Sequence, residues 1–155
     1  MSRAAKVFCF GFGEDGIAAQ AFAQRLALLG TLAVHHTDAV LMTASISGAV
    51  RGDVLMVFSE HGQHGALNLL CRQFRERQGK IVSVTRHSSN PLRAHADATL
   101  LVSAHDERSH VQPLLYQSAL QHLLDQVFVL MCDGDRLEQF NTNLERVQHL
   151  LDPKL

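Results

Sequence analysis

The chain has 155 residues, 46% apolar and 19% charged, with a formal net charge of −1. That suits one soluble domain with a substantial core and does not resemble a disordered tail. Its dispersed Lys and Arg form no basic patch, so this segment is not expected to bind nucleic acid directly. It has no apolar run of about 18 residues and no leader-like segment with a small-residue cleavage site, which disfavours membrane insertion and export and gives a cytoplasmic expectation. Cys9, Cys71 and Cys132 show no CxxC spacing and read as reduced, packed thiols.

Lys6 to Phe12 reads as a first strand. It runs into Gly11-Phe12-Gly13-Glu14-Asp15-Gly16 and then an Ala-rich helical pattern to about Leu29. Gly30 suits a left-handed helix stop, and Thr31 to His36 a short second strand. Asp38 caps the next helix, whose inner face is expected to carry Met42, Ile46 and Val50 before Gly52 closes it. Val54 to Phe58 is an unbroken apolar run, the mark of a strand buried on both faces of a parallel sheet. The polar turn Ser59-Glu60-His61-Gly62-Gln63-His64 follows, then a helix from Leu67 to Arg77 that Gly79 is expected to stop. Lys80 to Thr85 is a fourth strand, Ser88 to Asn90 with Pro91 starts a short helix, and Ala98 to Val102 is a fifth strand.

Beyond a polar stretch from Ser103 to His110, Pro113 to Cys132 reads as a long helix, apolar over much of its surface and so expected to be buried on several sides. Gly134 and Asp135 mark a restart. Leu137, Phe140, Leu144, Val147 and Leu151 then recur at spacings of three and four, a seam suited to packing against a second helix of the same chain or of a partner. The expectation is a single domain over 1–155, with its core over about 6–131 and a packing or dimerisation helix over 135–151.

Strands alternating with helices predict an α/β fold: a three-layer αβα sandwich on a five-stranded parallel sheet of order 2-1-3-4-5, flavodoxin-like, with added C-terminal helices. In that order the switch-point crevice lies between the Gly11–Gly16 and Ser59–His64 loops, at the carboxyl ends of the strands, where open α/β sheets bind ligands.

The ordered motifs, GxGxxG after the first strand, DVLMVFSEHGQH, IVSVTRHSSNPLRAHADATL and LLDQVF, resemble a sugar isomerase (SIS) domain, in particular the effector domain of RpiR-type transcriptional regulators. The likeness spans roughly Lys6 to Met131. In that family the loops usually read G-x-G-x-S-G, then S-x-S-G-x-T, then Thr with a short polar loop before S-P-L-A and A-D. The resemblance implies a phosphosugar pocket built from hydroxyls and helix-end N–H groups. The residues it nominates for ligand binding are Gly13, Asp15, Gly16, Ser59, Glu60, His61, Gly62, His64, Thr85, Ser88 and Ser89.

Departures from the pattern fall in the loops themselves. Asp15, His61 and His64 replace hydroxyl residues, and Asn90 stands where Ser is usual; Ser59 keeps its expected identity. A carboxylate at Asp15 would repel an incoming dianion by about 1 kcal/mol or more at an effective dielectric of about 20. His61 and His64 would offset this when protonated, making the site pH sensitive. For Asp15 three roles stay open: a plain N-cap, ligand discrimination, or pairing with His61 and His64, with or without a divalent metal shared with His35 or His36. Those two adjacent histidines should point to opposite faces of their strand. The single histidines His87, His95, His105, His110, His122 and His149 are expected to be solvated or core residues.

The resemblance implies a sugar-phosphate or sugar-derivative sensor, a homodimer or higher homo-oligomer, without a cofactor. In regulators a helix-turn-helix reader accompanies such a domain and is not among these residues. The chain is therefore expected to be a piece of a regulator or a free-standing SIS protein. One alternative is an aldose–ketose isomerase, for which Glu60, His61, His64 and His122 are the candidate bases and none is marked out by spacing. Another is a degenerate domain kept for dimerisation. An enzyme is the less favoured reading.

Overall fold

The structure, a computed structural model, describes residues 5–152. In chain order the elements are β1 (Lys6–Gly11), α1 (Gly13–Leu28), β2 (Leu32–Val34), α2 (Ala39–Ile46), β3 (Val54–Phe58), α3 (Gly65–Glu76), β4 (Lys80–Arg86), α4 (Pro91–His95), β5 (Ala98–Val102), α5 (Gln112–Met131) and α6 (Gly134–Leu151). All neighbouring strands pair in parallel, in the order β2-β1-β3-β4-β5. This is the expected doubly wound sheet. Among the described residues no helix is long and apolar enough to cross a membrane.

Strand alternation divides the interior into two cores. Cys9, Met56 and Phe58 face α1 and α5, where Phe22, Leu26, Tyr116 and Leu120 pack. Phe8, Phe10, Leu55 and Val57 face the opposite side, against Met42, Leu67, Phe74 and Leu92. Both clusters are buried, so β1 and β3 are covered on both faces.

Two aspartates brace the amino ends of the strands. Asp53, just before β3, accepts hydrogen bonds from the Lys6 and Val50 N–H groups, at 2.9 Å each, and lies 3.6 Å from Lys6 Nζ. Asp97, just before β5, accepts from Ile81 N at 2.8 Å. Asp53 satisfies the first N–H of β1 and Asp97 the second of β4, which explains the acidic residues ahead of β3 and β5 on packing grounds alone.

Asp38 caps α2 through Val40 N (2.9 Å) and Leu41 N (3.1 Å), and Asn90 caps α4 through Arg93 N. Other expectations need correcting. The second strand is only Leu32–Val34, so His35 and His36 lie beyond it. Val50 is outside α2 and exposed, and Ala49 takes the buried place. At the end of α3 the left-handed residue is Gln78 (φ 60°), not Gly79. Gly79 answers a different need: a β-carbon there would lie 2.1 Å from the Phe74 ring.

The long helix α5 is not buried on several sides. Only Tyr116, Leu120 and Leu124 of it are fully inside, while Leu114, Val129 and Leu130 are exposed, because its apolar residues run around the helix and the sheet covers one face. Helix α6 has no fully buried residue. It rests on the α1–α5 layer through an edge-on Phe128–Phe140 contact (5.6 Å) and the Asn143 Nδ2 to Leu28 O hydrogen bond (2.8 Å). Within the expected seam, Phe140 and Leu144 face inward and Leu151 stands in the open.

Candidate functional site

At the carboxyl end of β1 the chain turns into α1 with almost no clearance. A β-carbon on Gly11 would lie 2.9 Å from the Phe58 carbonyl oxygen, and one on Gly16 would lie 2.7 Å from Gly11 O; Gly13 has φ +58°. These glycines bring the start of α1 against the end of β3, which places the Ser59–His64 turn directly across from Asp15.

Asp15 is not an N-cap. The cap position is Phe12, which makes no side-chain capping bond, and Asp15 sits in the first turn of α1. Its carboxylate reaches across the crevice instead: Oδ2 accepts from Glu60 N at 3.0 Å and Oδ1 from Gln117 Nε2 at 3.1 Å. Burial pushes the Asp15 pKa up. The two hydrogen bonds oppose that shift, and the Glu60 charge adds to it.

The second loop is tied down from several sides. Gly62 N donates to Ser59 Oγ (3.2 Å), and His64 stacks on Phe12 with ring centroids 4.4 Å apart. His61 is exposed at the mouth, with Nε2 3.8 Å from Glu60 Oε2 and Nδ1 3.5 Å from an Arg86 guanidinium nitrogen. Helix α3 begins directly after His64 without a side-chain cap, so its first N–H groups and the positive end of its dipole stand uncapped beside the second loop.

The third loop is held more firmly. Thr85 is buried, donates to Arg86 O at 2.9 Å and accepts from Asn90 Nδ2 at 3.2 Å. Ser88 is partly buried under Asn90 and Arg93, and Ser89 is exposed. Thus Asp15, Ser59, Glu60, His61, Gly62 and His64 are gathered at the crevice. Gly13 and Gly16 shape it from behind, and Thr85 and Ser88 are engaged in holding the loop.

Helix α5, which carries none of the residues nominated for ligand binding, closes the crevice. Gln112 Nε2 approaches Glu60 Oε1 (3.4 Å) and donates to Ala104 O (3.1 Å), and Gln117 reaches Asp15. Tyr116 is fully buried beside them, and its hydroxyl has no hydrogen-bond partner. The signal for these residues in the sequence is slight: the chain's single Tyr, flanked by Gln residues, opening an otherwise apolar helix. His122 lies ten residues beyond Gln112, about 15 Å along the helix, exposed and bonded to Gln126. It is remote from the crevice.

His35 and His36 diverge, His35 Nδ1 lying 2.8 Å from Cys9 O and His36 packing near the Phe10 ring. Among the described residues no three His, Cys, Asp or Glu side chains form a group able to hold a metal.

The arrangement can accept hydrogen bonds at the Asp15 and Glu60 carboxylates and offer donors at the start of α3. A phosphate placed about 4 Å from the Asp15 carboxylate would be repelled by about 4 kcal/mol per unit charge at an effective dielectric near 20.

A parallel sheet of this order, with paired glycine loops at its switch point and a trailing pair of helices, places the chain in a known class. It belongs to the SIS domain family, whose match runs over residues 1–131. Among curated proteins it is 25% identical over 146 residues to an uncharacterized HTH-type transcriptional regulator of Escherichia coli, YfhH, covering 94% of this chain and 50% of that protein. The chain spans about half the length, or less, of the curated relatives it matches. Among solved structures the Vibrio vulnificus NanR protein complexed with ManNAc-6P superposes with a TM-score of 0.77 at 21% identity, over 95% of this chain and 56% of that one. The sugar isomerase domain of an RpiR transcription factor from Sphaerobacter thermophilus gives 0.76 at 19% identity, over 95% and 80% of the two chains. At such identities the likeness is one of fold.

Proposed function

We propose that this SIS domain is an effector-sensing module of the kind carried by RpiR-type regulators. It binds a sugar phosphate or other sugar derivative in the switch-point crevice and works as a homodimer in the cytoplasm. The ligand-binding set is the one drawn from the sequence, centred on Asp15, Ser59, Glu60, His61, Gly62 and His64.

The observation that carries this reading is the convergence of the two glycine-shaped loops and the uncapped start of α3 on one crevice at the carboxyl ends of β1 and β3. The family membership, the HTH-type relatives and the ManNAc-6P complex of NanR support it. The homodimer rests on the apolar residues that α5 and α6 leave in the open, among them Leu130 (79% exposed), Leu150 (82%) and Leu151 (81%).

The test is a thermal-shift titration of the whole chain with a panel of phosphorylated and unphosphorylated sugars, repeated on Ser59→Ala and His64→Ala. A concentration-dependent rise in melting temperature that either substitution weakens is the expected result. If no sugar shifts the wild-type protein, the sensing role is lost.

A further inference from the structure

The charges inside the crevice narrow the ligand. Asp15, in the first turn of α1, faces Glu60 in the second loop, and the groups that donate to their carboxylates are neutral amides: Glu60 N and Gln117 Nε2 to Asp15, Gln112 Nε2 to Glu60. Among the described residues His61 alone places a basic nitrogen within ion-pair distance of either acid, at 3.8 Å, and its side chain is 62% exposed at the mouth. Two carboxylates thus share a partly desolvated space without an interior cation.

An independent observation points to the same space. Tyr116 is fully buried, and its hydroxyl is without a partner. Buried hydroxyls are nearly always paired, so an orphan one marks a missing partner. Tyr116 lies one turn after Gln112, on the same face of α5. Aromatic side chains on a helix lean toward its amino end, which carries the phenol back toward the turn that holds Glu60. Burial raises the Tyr116 pKa, and the charges of Asp15 and Glu60 raise it further, consistent with a phenol close to both acids.

We infer that the crevice takes an unphosphorylated amino sugar, its ammonium group set between the Asp15 and Glu60 carboxylates and a ring hydroxyl paired with Tyr116. This rests on the reading of the crevice as a carbohydrate site and specifies what that site selects. The Glu60 N–H, a donor that would otherwise be free for an anion, is already taken by Asp15, so the protein's own carboxylate stands where a phosphate would be held. A protonated amine reverses the interaction, neutralising the acids that repel a phosphate.

The experiment is calorimetric titration of the whole chain with glucosamine, galactosamine and mannosamine, each alongside its N-acetyl and 6-phosphate forms. The variants are Asp15→Asn, Asp15→Ser and Tyr116→Phe, with folding checked by circular dichroism. One of the free amines is expected to bind at least about tenfold tighter than its N-acetyl or 6-phosphate counterpart. Asp15→Asn should abolish that preference, Tyr116→Phe should weaken the amine severalfold, and Asp15→Ser should gain affinity for the 6-phosphate. Should Asp15→Asn fail to fold, Glu60→Gln tests the same charge from the opposite loop.

A 6-phosphate that binds wild type as tightly as the amine overturns the inference and leaves the crevice a carbohydrate site. An N-acetyl form that binds equally well overturns it too, as does amine binding indifferent to both acids. Absence of binding by any sugar, to wild type and Asp15→Ser alike, overturns the sensing role itself.

Discussion

Gly62 and Asn90 are packed so closely that a β-carbon on the glycine would fall 2.0 Å from Asn90 Oδ1. Around this contact Leu92 N donates to Gly62 O (3.1 Å), and Asn90 both caps α4 and donates to Thr85. The second and third loops therefore form one unit. Gly62 also has φ +64°, which a side chain strains. Gly62→Ala should cost about 2–3 kcal/mol by strain and displacement together. Urea denaturation checks this, and an unaltered midpoint would show the two loops to be independent.

Asp53→Ala leaves the Lys6 and Val50 N–H groups unsatisfied at the amino end of the sheet, with Lys6 deprived of its carboxylate. The expected loss is about 3 kcal/mol, read from the same kind of denaturation curve. Because Asp53 lies at the end of the sheet opposite the crevice, sugar affinity in the folded fraction should be untouched. A variant that folds well but binds poorly would contradict this division.

The raised pKa of Asp15 fixes the sign of a pH effect. The folded chain holds this proton more tightly than the unfolded chain does. Protonation thus contributes stability that is fully present below the ordinary value of 3.8 and is lost as pH rises through the higher folded value. Melting temperatures of wild type and Asp15→Asn, compared from pH 3 upward, should show wild type losing ground relative to the variant as pH rises. A difference that moves the other way would mean that the hydrogen bonds from Glu60 N and Gln117 outweigh burial.

Burial pushes the Cys9 and Cys71 thiols up to about 12, whereas Cys132 is partly exposed. Since the thiolate is the reactive form, a disulfide reagent at pH 8 should titrate about one thiol per folded chain quickly and all three after unfolding. Rapid reaction of all three in native buffer would mean that the sheet opens readily.

Truncation after Gly134 removes α6, uncovering Phe128 and leaving the Leu28 carbonyl without Asn143. A loss of about 1–2 kcal/mol is expected, together with a smaller subunit number in sedimentation, because part of the proposed dimer surface goes with the helix. A truncated chain of unchanged stability and assembly would remove α6 from both roles.

Much of this architecture is legible in the sequence because β3 is a short apolar run and β5 a mostly apolar one, each bounded by polar residues, and their ends fall where those runs end. Helix ends were harder to read. The start of α3 lies at Gly65, two residues ahead of the expected Leu67, since Gly65 disfavours a helix and His64 makes no side-chain cap. The burial of α5 is less than its apolarity suggests, because apolarity on a helix does not say how much of its surface is covered.

The crevice could be located because strand order fixes where the Asp15 and Glu60 loops meet. Its composition could not be read in full. Gln112, Tyr116 and Gln117 arrive from an element about a hundred residues after Asp15, and their reach depends on how α5 crosses α1. The role of Asp15 stays open in the sequence for a related reason: its partner, Glu60 N, is a backbone group on another loop.

The division of the interior by the sheet has a mechanical corollary. Asp15 belongs to the α1–α5 layer, whereas the turn that carries Glu60, His61 and His64 leads into α3 on the other face. Helix α6 is carried by α1 and α5, through Leu28 and Phe128. A molecule seated between Asp15 and the Ser59–His64 turn would therefore touch both layers at once, while α6 rests on only one of them.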